Sequence, residues 1–432
     1  MKPSVQSSNT LFNGLLLGWE RTPDGNSTPI WDRSREGHLL TIAPTGSGKG
    51  VSCAIPALLS WQGPAIVVDP RGENYAVTAK RRRAMGHIVY RLDPFCIAGN
   101  DMGDLLNPMD LIDPEADDFE DNAAVVAQLC MQRLTDERAP YWDERASSLI
   151  TRVICELFRH LPSRRPTLRD VQDTIKGLPV YDLPLKPGIP PEDQLSPVAA
   201  ILHAILASGE FASDRTRACI FSTANAHLSF MKSPAVHLSL TDSTILLDDI
   251  TAGAMHTIYL VIPPDKLVTH SRLLRLWLGV MLTAISRRRR APAQPTLFLI
   301  DEAAQLGEMT ELRAALTLMR AYGVRVWTFW QCLSQLQSIY SKDWHSIINN
   351  SSVQQFFGVK APHARKLLHD FVGNALPKDG LQESDQLLFT GNELDVTRRA
   401  SYLNDPIFKG LASPHPFHTV QHALSSPMLP AL

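Results

Sequence analysis

The stretch HLLTIAPTGSGKGVSCAIPALL, from His38 to Leu59, decides the fold of this chain. The apolar run Leu39 to Ala43 predicts a short buried strand, and the apolar residues after Lys49 predict a helix. Between them, the turn PTGSGKG nearly matches the phosphate-binding pattern G-x-x-x-x-G-K-[ST]. A loop of this kind between a strand and a helix predicts a site for nucleotide phosphates.

The predicted loop would bind phosphate mainly through its backbone. Glycines in the turn adopt angles that other residues avoid, so successive N–H groups can surround phosphate oxygens. Lys49 would reach the β- and γ-phosphates, and the N-terminus of the following helix adds partial positive charge. The predicted nucleotide-binding residues are Thr45, Gly46, Ser47, Gly48, Lys49, Gly50 and Val51.

Two positions of the loop depart from the general pattern. Ala43 replaces the first glycine, and Gly50 occupies the position of the hydroxyl that usually binds Mg²⁺. Ser52 lies two residues further on, and we expect it to point away from the site. The sequence therefore leaves the magnesium ligand at Gly50 open.

Composition indicates an ordinary globular protein. The chain has 432 residues, 44% of them hydrophobic and 20% charged, which allows two or three domains. A net charge of −2 excludes a polycation, so nucleic-acid contact would need local patches. Two such patches are the runs KRRR (Lys80–Arg83) and RRRR (Arg287–Arg290), for which a solvated face and sequence-independent DNA contact both remain open. The six scattered cysteines indicate a reducing compartment.

The order of predicted elements indicates an α/β fold. Strands ending near Asp69 and Asp93 alternate with helices, which predicts a parallel sheet covered on both faces. From Asn122 to about Phe230 the apolar periodicity is helical, and strands return at Thr257. The prediction is a nucleotide-binding domain built from residues 1–115 and 236–432, interrupted by an all-α domain at 116–235. Residues 1 to about 37 are expected to be a polar leading segment, and no element is predicted beyond residue 385.

A second motif, PTLFLIDEAAQLG, places two carboxylates at the end of an apolar strand. Ligands of open α/β sheets bind at the carboxyl ends of the strands. Asp301 there could hold Mg²⁺ directly or through water, and Glu302 could polarise an attacking water as a general base. Found in this order after the loop at Lys49, the pair favours a water-activating NTPase over a nucleotide kinase, which has no use for a carboxylate directed at water.

Gln331 and Arg320 each allow two interpretations. Gln331 follows the predicted strand VRVWTFW, where it could sense the γ-phosphate or simply cap the strand end. Arg320 precedes the same strand. An arginine there could reach the phosphates of a neighbouring subunit, although a surface arginine is usually only solvated.

Taken together, four stretches resemble the type IV secretion coupling proteins, the conjugative DNA-transfer ATPases of TraG/TraD type. The stretches are APTGSGKGVSCAIPALLSW, VVDPRGEN, LIDEAAQLG and MRAYGVRVWTFWQCLSQLQSIY, and the resemblance runs from about Gly18 to about Gly373. It implies a RecA-like P-loop domain with a parallel-rich sheet, interrupted by an all-α substrate-recognition domain. It also implies homo-hexameric rings with ATP between subunits. These would pass DNA, without sequence preference, or a relaxase–DNA complex toward other components of a secretion channel.

Carried over by position, the resemblance assigns roles to the candidate residues. It implies that Lys49 is the Walker A lysine, Asp301 and Glu302 the Walker B pair, Arg320 the trans-acting finger and Gln331 the sensor. The sequence GKG ending at Gly50 is common in the TraG-like branch, so the missing hydroxyl departs from the general motif more than from this family.

Membrane attachment is where the chain departs from the family pattern. Members normally begin with membrane-spanning helices, whereas this chain starts roughly where those helices would end. We therefore expect a cytoplasmic protein, or one peripheral to the inner face of the bacterial inner membrane through partners or a missing anchor. The alternative is a soluble substrate adaptor of the secretion system with weak or no ATP turnover. A helicase or FtsK-like translocase shares the core, but only the two Walker elements support it.

Overall fold

The computed structural model describes residues 14–21, 27–34, 36–131, 140–161, 163–177, 214–373, 381–391 and 393–417. The chain divides into two compact units. The first comprises Met1–Asp101, Ile250–Val268 and Ser286–Leu432, and the second comprises Met102–Asp249 and Thr269–Ile285.

A single mixed sheet runs through the first unit. Its described strands, in chain order, are β1 Leu15–Arg21, β2 Ser27–Asp32, β3 His38–Ile42, β4 Ala65–Val68, β5 Ile88–Leu92, β6 His256–Leu260, β7 Thr296–Ile300, β8 Val324–Trp330, β9 Ser351–Phe356, β10 Asp385–Thr390 and β11 Glu393–Arg398. Their order across the sheet is β2-β1-β11-β10-β9-β3-β8-β7-β4-β6-β5.

The sheet has a parallel half and an antiparallel half. Strands β9, β3, β8, β7, β4, β6 and β5 pair in parallel, and β3, β4, β6, β7 and β8 are buried along their whole length. Parallel strands are covered on both faces, which is why their sequences are continuous apolar runs. On the other side, β10, β11, β1 and β2 continue the sheet with antiparallel pairing. The predicted α/β fold with a parallel-rich sheet is confirmed.

The antiparallel strands correct two expectations from the sequence. The leading segment contains β1 and β2, and the region beyond residue 385 contains β10 and β11. Strands β2 and β11 are only partly buried and carry polar residues at their exposed positions, so their apolar periodicity is weak. Strand β1 has an irregular register between Leu16 and Gly18.

Thirteen α-helices occur among the described residues. They are α1 Ile55–Ser60, α2 Glu73–Ala84, α3 Phe119–Cys130, α4 Pro140–His160, α5 Leu168–Gly177, α6 Asp214–His227, α7 Pro234–Leu238, α8 Leu247–Ala252, α9 Pro264–Ser286, α10 Thr310–Leu318, α11 Leu333–Ile339, α12 Trp344–Asn349 and α13 Pro362–Val372. Within the described ranges, no helix combines the length and the hydropathy that crossing a membrane requires.

The regular elements of the second unit, in its described part, are helices. Helix α4 is central and packs against α3, α5 and α6. The predicted helical periodicity is confirmed, because a single face of α4 is buried, comprising Leu149, Ile150, Val153, Ile154 and Leu157. Gly279 of α9 allows a close approach to α3, since a Cβ there would lie 2.3 Å from Leu129 Cδ2. The domain boundaries at 115/116 and 235/236 remain a prediction.

Candidate functional site

The phosphate loop connects β3 to a helix at the carboxyl edge of the sheet. Gly46 and Gly48 have φ angles of +76° and +92°, in the region that favours glycine. The helix opens with a π-helical turn, Gly50–Ala54, and continues as α1. π-helical turns are rare and frequently occur at functional sites. The predicted strand–loop–helix is therefore present, with Lys49 at the start of the helix.

Lys49 is buried in the loop with two oxygen partners. Its Nζ donates to the backbone carbonyl of Ala43 at 2.9 Å and lies 3.7 Å from Glu302 Oε1. Only 8% of Lys49 is exposed, so the ammonium sits in a partly desolvated pocket where its charge acts strongly. The loop lysine and the predicted general base are thus adjacent within one chain.

Asp301 directly follows β7 and is surrounded by other charges. Its Oδ1 accepts a hydrogen bond from the backbone N–H of Glu302 at 3.0 Å. Burial, together with the neighbouring Glu302 carboxylate, raises the pKa of Asp301 to about 6. A bound cation would favour the ionised form of this carboxylate, as expected of a magnesium ligand.

Glu302 takes an unusual backbone conformation, with φ +54° and ψ +51°. A left-handed conformation costs a non-glycine residue about 1–2 kcal/mol, and such residues cluster at active sites. Glu302 Oε2 accepts a hydrogen bond from Gln331 Nε2 at 2.9 Å. The turn after β7 therefore places the carboxylate between Lys49 and Gln331.

The pairing of three neighbouring strands explains why these side chains meet. Strand β8 lies between β3 and β7, with Ile42 opposite Trp330 and Ile300 opposite Thr328. All three strands run parallel, so the residues that follow them emerge at the same edge. The structure thereby brings together Lys49, Asp301, Glu302 and Gln331, which are far apart in the sequence.

The remaining predicted residues lie around this group or away from it. Thr45 and Gly46 are exposed at the loop tip, and Val51 packs against a small apolar cluster. Arg320 precedes β8 and therefore lies at the opposite, amino edge of the sheet, where its exposed guanidinium pairs with Glu36. It does not join the Lys49 group within one chain.

Asp69 is a site residue that the sequence analysis treated only as a strand end. It follows β4, next to β7 in the sheet, and accepts hydrogen bonds from the backbone N–H groups of Asn74 and Tyr75 at 3.2 and 2.8 Å. Burial raises its pKa to about 7, and the charge of Asp301 contributes in the same direction. The signal available in the sequence was an aspartate ending a second parallel strand.

The two basic runs each contain an arginine that is buried. Arg82 is fully buried and donates to the carbonyl of Gly63 at 2.7 Å. Arg288 is 6% exposed and donates to the carbonyl of Tyr322 at 2.9 Å. These two side chains hold backbone segments together, so any DNA contact by the runs would use their other members.

The fold and the site together define an α/β domain that carries a P-loop between the first parallel strand and its helix. The chain belongs to the family described as type IV secretory system conjugative DNA transfer, whose model matches residues 19–393. The predicted family is confirmed.

Known relatives are similar over most of this chain. The conjugal transfer protein TraG of Escherichia coli is 25% identical over 376 residues, which cover 80% of this chain and 56% of the relative. TraG of Agrobacterium fabrum is 27% identical over 320 residues, covering 70% and 45%. Protein VirD4 of Rhizobium radiobacter is 24% identical over 343 residues, covering 76% and 47%. The chain thus spans about half the length of the curated relatives it matches.

Solved structures show the same fold. The unbound bacterial conjugative coupling protein TrwBdeltaN70 matches with a TM-score of 0.65 and 17% identity, covering 90% of this chain and 91% of that one. The plasmid coupling protein TrwB in complex with the ATP analogue ADPNP matches with a TM-score of 0.63 and 18% identity, covering 86% and 87%. VirB4 of Thermoanaerobacter pseudethanolicus matches with a TM-score of 0.51 and 12% identity, covering 92% of this chain and 98% of that one.

Proposed function

We propose that this chain is a coupling ATPase, which recruits DNA or a nucleoprotein and drives it toward a type IV secretion channel by hydrolysing ATP. The observation that carries the proposal is the position of the Glu302 carboxylate between two side chains. One of its oxygens lies 3.7 Å from Lys49 Nζ, and the other lies 2.9 Å from Gln331 Nε2. A lysine on a phosphate loop beside an oriented carboxylate is the arrangement that water-activating NTPases require.

In the proposed reaction, the loop N–H groups and Lys49 hold the phosphates of ATP. Glu302 accepts a proton from the attacking water. The oxygen of that water bonds to the γ-phosphorus, and the bond between the γ-phosphorus and the bridging oxygen breaks, which releases ADP and phosphate. Gln331 keeps the Glu302 carboxylate in place and senses the γ-phosphate. In the free enzyme Lys49 bonds to Ala43 and faces Glu302, so bound nucleotide would exchange these partners for phosphate oxygens.

The residues present also suit a magnesium ion. Asp301 would hold it, directly or through water, and the ion would neutralise charge on the phosphates. Gly50 carries no hydroxyl, but a Cβ at that position would meet no atom within 4 Å, which leaves room for a water ligand instead. Among the structural relatives, TrwB has been solved in complex with ADP and Mg²⁺, and with ADPNP.

We propose that assembly explains the position of Arg320. In a homo-hexamer, this exposed arginine would release Glu36 and contribute its charge to the phosphates bound by the next copy. We propose that the helical unit selects the substrate, and that the partners are sequence-independent DNA or a relaxase–DNA complex and other secretion components. The working location would be the inner face of the bacterial inner membrane, with membrane contact through partners or an anchor.

The proposal is tested by ATP turnover in the presence and absence of DNA. Steady-state hydrolysis is measured for the chain alone and with single- or double-stranded DNA of unrelated sequences. Stimulation by DNA, lost in Arg320→Ala while nucleotide binding is kept, supports the motor. Nucleotide binding with near-zero, DNA-indifferent turnover would instead favour the substrate adaptor.

A further inference from the structure

A segment that lies outside the family match donates hydrogen bonds to backbone carbonyls of the phosphate loop and of the helix that follows it. The four residues Arg399–Tyr402, which we call the strap, follow β11, whereas the family model ends at residue 393. Arg399 Nη1 donates to the backbone carbonyl of Ser47 at 2.5 Å, and Tyr402 N–H donates to the carbonyl of Val51 at 3.2 Å. The strap therefore contacts the loop on both sides of Lys49.

Arg399 is fixed in position by its other contacts. Its guanidinium lies over the Phe357 ring at 4.6 Å from the centroid, and its second nitrogen, Nη2, donates to the carbonyl of Glu383. Its backbone N–H donates to the backbone carbonyl of Ser384 at 2.9 Å. Planar stacking combined with two donors is a role that arginine fills and lysine does not.

The charge of Arg399 has no ion-pair partner among the described residues. Its Nε is buried without a hydrogen-bond partner. Partial burial lowers the pKa of the guanidinium, and the charges of Glu383 and Asp385 oppose this shift only in part. A half-buried cation whose nearest carboxylates act only from a distance is incompletely compensated, so its place beside a phosphate loop needs an explanation. An anionic ligand on the loop would supply the missing compensation.

The geometry of the peptide bond connects Arg399 to that ligand. The carbonyl of Ser47 and the N–H of Gly48 belong to one planar trans peptide, in which they point in opposite directions. By holding the carbonyl, Arg399 directs the N–H of Gly48 to the other side of the loop, and it also polarises this peptide. Arg399 Nη1 would lie 3.5 Å from a Cβ at Gly48, which confirms its close approach to this peptide.

We infer that Arg399 is a positioning residue for the phosphates of the nucleotide, acting through the Ser47–Gly48 peptide from the carbonyl side of the loop. This inference rests on the proposed nucleotide-binding function. In addition to the loop residues, the strap then contributes a cation to nucleotide binding. Because the strap follows β11, the affinity for nucleotide depends on how the β10–β11 end of the sheet is folded.

The test compares Arg399→Met with Arg398→Ala in the full chain. The methionine keeps apolar contact with Phe357 but removes both donors and the charge. Arg398 is the control for the strap itself, because it pairs with Asp405 at 2.9 Å, lies over Trp19 and donates to the carbonyl of Arg399 at 3.4 Å, but has no hydrogen bond to the described residues of the loop. Equilibrium binding of Mg·ADP and Mg·ATP is measured by calorimetry, and thermal unfolding is followed without nucleotide.

We expect Arg399→Met to weaken binding of both nucleotides about tenfold, the value of one charge-assisted hydrogen bond. Arg398→Ala is expected to lower the unfolding temperature while affinity stays within about twofold. Wild-type affinity in Arg399→Met, or an equal loss in both variants, would overturn the inference.

If Arg399→Met does not fold, the Arg399→Lys variant decides. It keeps the charge without the planar fork, so we expect about threefold weaker binding, and unchanged affinity overturns the inference. Absence of binding by the wild-type chain would overturn the proposed function as well.

Discussion

Gln331 donates its side-chain amide to the Glu302 carboxylate across 2.9 Å, and the other oxygen of that carboxylate faces Lys49 at 3.7 Å. The backbone N–H of Gln331 is in turn bound to Gln335 Oε1 at 3.0 Å. The carboxylate therefore has a fixed orientation before any nucleotide binds. Preorganisation of this kind lowers the cost of aligning a general base in the reaction.

Replacing Gln331 by alanine should slow hydrolysis without preventing nucleotide binding. The carboxylate of Glu302 would lose its donor, and we expect the rate constant kcat to fall about 10–100-fold. The affinity for Mg·ADP should stay the same, because the hydrogen bonds of Gln331 within the described residues go to Glu302 and Gln335 and not to the loop. Steady-state kinetics and ADP titration check both points. Gln354→Ala, on β9, is the matched control and should retain kcat. An unchanged kcat in Gln331→Ala would contradict the assigned role.

Restoring the hydroxyl of the general motif should be tolerated at Gly50. A Cβ there meets no atom within 4 Å, and the backbone is helical, so Gly50→Ser should change stability by less than about 0.5 kcal/mol. The new hydroxyl can replace a water ligand of Mg²⁺. We therefore expect half-maximal hydrolysis at a lower Mg²⁺ concentration than in Gly50→Ala. Equal Mg²⁺ dependence in the two variants would show that this position does not contact the metal.

Gly358 should be required for the shape of the phosphate loop. Its φ is +68°, and a Cβ would lie 2.5 Å from Ser47 Cβ, so Gly358→Ala must displace the loop. Gly391 is the matched control, because its φ of +64° imposes the same backbone strain while a Cβ there meets nothing within 4 Å. Backbone strain should cost both alanine variants about 1–2 kcal/mol of stability, and the close contact with Ser47 should add to the loss in Gly358→Ala. Nucleotide affinity should fall only in Gly358→Ala, and equal affinities would contradict the contact.

Stability should depend on pH through Asp69. Its pKa is raised from 3.8 to about 7, so between these values the folded chain keeps a proton that the unfolded chain has released. The stability contributed by Asp69 is therefore complete below about pH 4 and is lost as the pH rises through about 7. Between pH 4 and 8, the free energy of unfolding of the wild type should fall by a few kcal/mol relative to that of Asp69→Asn, because each unit of pKa shift corresponds to about 1.4 kcal/mol. Denaturant unfolding in Mg²⁺-free buffer checks this. A difference that is constant with pH would contradict it.

Local patterns in the sequence were enough to predict the parallel half of the sheet and the two motifs on it. The strand before Lys49 and the strand before Asp301 are buried on both faces, so each appears as an uninterrupted apolar run. The position of Gln331 after a third such run followed from the same signal. The pattern did not show that Gln331 donates to Glu302, because the end of a strand does not reveal which side chain the next residue contacts.

Contacts between distant residues could not be predicted. Arg399 meets Ser47 across 352 positions of the chain, and the strand before it has only a partly buried face, so neither the strand nor the contact leaves a local signal. The runs around Arg82 and Arg288 posed the opposite problem. Their charge suggested solvated or DNA-facing surfaces, yet each run sends one guanidinium into the interior to bind carbonyl groups.

The most direct test of the account is the hydrolysis of Mg·ATP by Lys49→Ala, compared with the wild-type chain and Glu302→Gln. We expect the wild type to hydrolyse ATP, Glu302→Gln to bind Mg·ATP with a rate at least about 100-fold lower, and Lys49→Ala to lose both binding and turnover. Undiminished hydrolysis in Lys49→Ala would contradict the claim that this loop and the carboxylate beside it form the catalytic site.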